Sequence, residues 1–131
     1  MRAVIAGMAL AGMGLAGCAA STSETPAPTQ TAPVAATGPE QMCVLVQSIR
    51  STQVRDDQTI DFFMRDGTVL RNTLPARCPQ LGFERAFSYS TTIPQLCSVD
   101  IITVLVQAGR VRQGASCGLG KFTPIAPPAR K

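Results

Sequence analysis

Five cysteines and no histidine set the limits on what chemistry this 131-residue chain can attempt. Without an imidazole there is neither a Ser-His nor a Cys-His pair for nucleophilic catalysis, and no His-containing metal cluster. Zinc held by thiolates needs pairs about two to four residues apart, and Cys18, Cys43, Cys78, Cys97 and Cys117 offer none. Asp57, Asp61, Asp66, Glu84 and Asp100 are few and scattered, so the paired acids of a glycosidase cleft are not indicated. The adjacent Asp56 and Asp57 read as polar turn residues that bond nearby backbone N–H groups. Gly118-Leu119-Gly120-Lys121 resembles the end of a phosphate loop but lacks the earlier glycine spacing and the Ser or Thr that should follow. Its glycines are read as a turn beside Cys117. These residues point away from an enzyme, with no cofactor and no metal expected.

One cysteine is differently placed. After Arg2, residues 3–16 carry no charge and consist only of Ala, Val, Ile, Leu, Met and Gly, and the run closes on Leu15-Ala16-Gly17-Cys18. It is shorter than the roughly 20 residues that span a bilayer as a helix, and it suits the apolar part of a secretory signal. Residues 1–18 resemble the bacterial lipoprotein signal, whose lipobox is a Leu, two small residues and a Cys. The resemblance implies a signal peptide over residues 1–17, cleavage before Cys18, a diacylglycerol thioether on its sulfur and acylation of the new amino group. A thiolate is the nucleophile this chemistry requires, and more than one acyl chain holds a protein stably to a membrane. Ala19 stands where many Gram-negative lipoproteins retained at the inner membrane carry Asp. The periplasmic side of the outer membrane is therefore the expected location.

Residues 19–41 contain four prolines, many Ser, Thr and Ala, and no Leu, Ile or aromatic residue. Such a stretch cannot build a core, and a disordered tether running from the lipidated Cys18 to residue 41 is expected, spanning roughly 25–30 Å. Residues 42–124 form the candidate domain, and the proline-rich residues 125–131 a frayed tail. The net charge is +4, but basic and acidic groups alternate, as in "RSTQVRDDQTID". Nucleic acid is not an expected partner; anionic envelope polymers could be attracted.

With Cys18 committed to lipid, the other four cysteines are an even set, and two disulfides follow in an oxidising compartment. Three pairings are possible. Residues 99–106, "VDIITVLV", read as a strand, and a hairpin folded about Gln107 and Ala108 brings Cys97 near Cys117. The preferred pairing is thus Cys97–Cys117 with Cys43–Cys78.

The elements that must position these residues are strands. In "TIDFFMRDGTVLRNTL", Asp66-Gly67 between apolar runs marks a hairpin. A turn with Gly67 left-handed sets Phe62 opposite Leu70 and gathers Ile60, Phe62, Met64, Leu70 and Leu74 on one face. Phe63 and Val69 then lie on the other face and, with Arg65 and Arg71, form a candidate contact surface. "CVLVQSIRSTQV" reads as a further strand and "FERAFSYS" as one more, while "LPARCPQLGF" is broken by Pro75 and Pro79. The fold class is mostly β, a small disulfide-stapled domain forming a partly closed β-barrel or a twisted antiparallel sheet.

The segments "DDQTIDFFMRDGTVLRNTL", "RCPQLGFERAFSY", "LCSVD" and "SCGLGKF" resemble a family of small bacterial lipoproteins known only as a domain of unknown function. The resemblance spans about residues 43–123 and implies a single exported disulfide domain, with no catalytic residue to carry over. The function expected is a non-enzymatic envelope lipoprotein, anchored to the membrane by lipid, that binds another envelope protein or polymer. Alternatives are an inhibitor of an attacking hydrolase such as lysozyme, although "RDGTVL" lacks the Tyr of the usual Ser-Gly-x-x-Tyr loop, or a carrier of a small apolar ligand.

Overall fold

The computed structural model describes residues 34–128; the signal segment, Cys18, most of the tether and residues 129–131 lie outside them. Among the described residues nine strands, a 3-10 turn and one short α-helix succeed one another: β1 (Cys43–Leu45), the 3-10 turn (Val46–Ser48), β2 (Ile49–Asp56), β3 (Thr59–Met64), β4 (Val69–Thr73), α1 (Leu81–Glu84), β5 (Phe87–Tyr89), β6 (Gln95–Cys97), β7 (Ile101–Val106), β8 (Arg112–Gly118) and β9 (Phe122–Ile125). They form three antiparallel sheets, ordered β2-β3-β4-β9, β5-β7-β8 and β1-β6. The chain is mostly β, but among the described residues the sheets do not close into a barrel. Pro75 and Pro79 interrupt the run between β4 and β5, and β1, β5 and β6 are three residues each. Strands that short carry too few ladder bonds to carry a sheet round to its own edge.

The β3–β4 hairpin follows the expected register, with Phe62 opposite Leu70 and Gly67 at φ 91°. Ile60, Phe62, Met64, Leu70 and Leu74 are all buried. Phe62 stands edge-on to Phe122 of β9 at 5.2 Å and to Phe87 of β5 at 6.5 Å, so one ring joins two sheets. β9 is locked to β4 by a buried amide: Asn72 Nδ2 donates to Gly120 O at 2.7 Å, and Gly120 N donates to Asn72 Oδ1 at 2.8 Å. A Cβ at Gly120 would collide with the Thr73 carbonyl. Close backbone approach, rather than a turn, is why glycine stands there.

Three boundaries differ from the sequence reading. Residues assigned to the tether lie along the edge of β9: Ala36 bridges Ile125, and Gln41 and Phe122 exchange both backbone hydrogen bonds. Ile125, assigned to the tail, ends β9 and is buried. "FERAFSYS" is a helical turn followed by β5, because Gln80 and Arg85 both adopt left-handed backbone and close α1 at each end.

The disulfides are Cys43–Cys97 and Cys78–Cys117, not Cys97–Cys117 with Cys43–Cys78. The β7–β8 hairpin turns at Gly109 and sets Cys117 opposite Ile102. It does not reach Cys97, which lies in β6 behind a turn where Asp100 N bonds Cys97 O and Cys97 N bonds Asp100 Oδ2 at 2.6 Å. β6 pairs with β1, placing Cys43 directly across from Cys97 with Cα atoms 4.0 Å apart. Cys78 is fixed by its N–H to the Asp57 carbonyl and meets Cys117 at the edge of the second sheet.

Candidate functional site

Four strands bring two rows of side chains to the face of the large sheet opposite the core. The cross-strand pairs Phe63–Val69 and Val69–Ile125 form an apolar row. One rung further, Asp61 pairs with Arg71, and Arg55 reaches the same carboxylate from β2. This follows from period-two alternation, which sends Asp61, Phe63, Val69 and Arg71 to one side while their neighbours fill the core.

Asp61 is fully buried, and three hydrogen bonds hold it: Arg71 Nε to Oδ1 at 2.7 Å, Arg71 Nη2 to Oδ2 at 3.0 Å and Arg55 Nε to Oδ2 at 2.7 Å. Burial alone pushes the Asp61 carboxyl up, but the hydrogen bonds and charges of the two guanidiniums outweigh it and hold the group below its ordinary value. Arg71 is raised in turn, first by its hydrogen bonds to Asp61, against burial, and further by the charges of Asp61 and Asp56. Arg71 Nη1 is buried with no hydrogen-bond partner among the described residues.

The candidate contact surface is therefore only partly available. Phe63 is half-buried and Arg65 is exposed, its Nε donating to Gln47 O at 2.8 Å. Val69 is 2% exposed and offers no surface, because β9 covers it through Ile125. Arg71 is mostly buried and committed to Asp61. The sequence reading missed Asp61 as the partner of Arg55 and Arg71, although the hairpin register that sets Phe62 opposite Leu70 also sets Asp61 opposite Arg71.

The other acids are engaged as well. Asp57 accepts from Gly82 N and Arg77 Nη2, each at 2.8 Å, making it a long-range brace rather than a local turn residue. Asp56 does serve its turn, accepting from Gln58 N at 2.8 Å. Asp66 accepts from Thr68 N, a backbone bond that lowers its carboxyl; Glu84 accepts from Gln107 N and Asp100 from Cys97 N. Among the described residues no group of three or more Cys, Asp and Glu could hold a metal ion, and no helix is long and apolar enough to cross a membrane.

Two open depressions of about 440 and 430 Å³ lie on the second sheet, one lined by Tyr89, Val99, Ile101 and Thr103, the other by Pro75, Pro79 and Cys117. Comparison with known proteins finds no matching family model, no matching curated protein and no matching solved structure.

Proposed function

We propose that this chain is a lipid-anchored envelope protein, held through Cys18, whose β-domain works by binding another envelope component. The observation that carries the reading is cysteine partition: the four domain cysteines pair with one another. Cys18 is left as the odd thiol, at the end of a charge-free run and in the setting Leu-Ala-Gly-Cys. Two disulfides suit an exported protein. Binding is favoured over catalysis because the acids singled out by the sequence are already tied to backbone or arginine. Phe63 and Arg65, beside the exposed β3–β4 turn, are among the residues of the outer sheet face that a partner can reach.

The test is the mass and fate of the full chain made in a Gram-negative host. Cleavage before Cys18, the added mass of a diacylglyceryl group and recovery with membranes are expected, all lost in Cys18→Ala. Crosslinked envelopes should yield an envelope partner whose recovery falls in Phe63→Ser/Arg65→Ala. A chain that stays unmodified at Cys18, or a partner indifferent to Phe63 and Arg65, would overturn the corresponding half of the reading.

A further inference from the structure

The end of the molecule formed by α1 and the β7–β8 hairpin combines exposed apolar side chains with exposed arginines. Phe83 is 85% exposed and Val111 67% exposed. The isolated domain does not realise the hydrophobic gain that burying either side chain would bring. Arg85, Arg110 and Arg112 are exposed beside them in sequence and, among the described residues, none is in an ion pair.

The fold brings these five residues to one end. β5 runs antiparallel to β7 with Phe87 opposite Val104, so the helical turn preceding β5 lies where β7 approaches its hairpin. Leu105 N donates to Ala86 O at 2.9 Å, and Gln107 N donates to Glu84 Oε2 at 3.1 Å. Gln107 follows Val106, which pairs with Arg112. Glu84, the acid between Phe83 and Arg85, is thus turned toward the hairpin backbone, and among the described residues it forms no ion pair with the arginines. Asp57, at the start of α1, is occupied by Gly82 N and Arg77. Buried Leu81 anchors the turn, and the left-handed Gln80 and Arg85 on either side keep it short, leaving Phe83 outward. A non-glycine residue at positive φ is costly enough to suggest a use.

We propose that this end is a docking surface for an anionic phospholipid membrane, with Phe83 and Val111 entering the headgroup boundary and Arg85, Arg110 and Arg112 meeting lipid phosphates. Charge complementarity selects the occupant: apolar side chains projecting from a helical turn and a hairpin tip, ringed by unpaired arginines, match an interface that is apolar below and anionic above. The inference rests on the envelope reading for its source of membrane.

The experiment uses the chain from Ala19 onward, which contains every described element and both disulfides, with vesicles of phosphatidylcholine alone or mixed with phosphatidylglycerol. Binding to the anionic vesicles should be at least about tenfold tighter than to the neutral ones, each arginine contributing up to about fivefold, and should weaken with salt. Phe83→Ser/Val111→Ser should lose about tenfold or more, and Arg110→Gln/Arg112→Gln should lose most of the anionic preference. All four positions are exposed, and an unchanged melting curve verifies the fold. Equal binding to both vesicles, binding to neither, or unaltered binding by the Phe83/Val111 variant would overturn the proposal. Since this chain lacks Cys18, its result is independent of whether Cys18 carries lipid, which the intact mass of the full chain reports separately.

Discussion

Asp61 is buried between strands yet stays ionised because Arg55 and Arg71 approach both of its oxygens. A carboxyl whose folded-state value lies below the ordinary 3.8 contributes stability that is complete above that value and lost as pH falls through the lower folded one. Asp61→Asn should therefore cost about 2–3 kcal/mol at neutral pH, since it leaves the mostly buried Arg71 without its counter-charge. The gap between variant and wild type should narrow as pH drops below 3.8, and urea titrations at neutral and acidic pH read both effects. Gly120 tests a different physics. Gly120→Ala must push β9 away from Thr73, breaking the Asn72 clasp, with an expected cost of at least about 1–3 kcal/mol in the same assay. Asp61 opposite Arg71 was legible from the hairpin register, whereas Gly120 against Thr73 was not, because the two are distant in sequence and only the β4–β9 pairing brings them together.

At the scale of elements, the disulfides join segments that local pattern could not pair. Sequence separations of 54 and 39 residues correspond to about 4 kcal/mol each in the loop-entropy model, before any native strain. Peptide mapping of the unreduced protein should return Cys43 linked to Cys97 and Cys78 linked to Cys117. Cys43→Ala/Cys97→Ala should lower stability by about 2–5 kcal/mol, releasing β1 from β6, a sheet of only two short strands. The β3–β4 hairpin was readable because Asp66-Gly67 and the alternation of apolar residues act within a dozen residues. β7–β8 was readable as a hairpin but not in register, since its turn at Gly109 and its irregularity between Thr103 and Leu105 shift Cys117 away from Cys97.

At the scale of the whole molecule, the core and both disulfides lie within residues 34–128. Under the proposed lipid anchor, Cys18→Ala should therefore leave the melting transition of the domain unchanged while releasing the chain from membranes. A melting transition that moved with Cys18 would show that the anchor segment packs on the domain. The net charge of +4 is not spread evenly in effect: two arginines are engaged by Asp61, while Arg85, Arg110 and Arg112 stand together at one end with no ion pair among the described residues.

Short-range order was accessible from sequence. Five cysteines without histidine, the apolar run closing on Leu-Ala-Gly-Cys, β-rich alternation and the Asp-Gly hairpin all depend on residue type or on neighbours in the chain. Tertiary structure decided which cysteines meet, that Val69 is covered by β9 and Arg71 is claimed by Asp61, and that Phe83 and Val111 share an exposed basic end. Each depends on which strand lies beside which. That choice is made by burying the whole core at once, and no window of the sequence contains it.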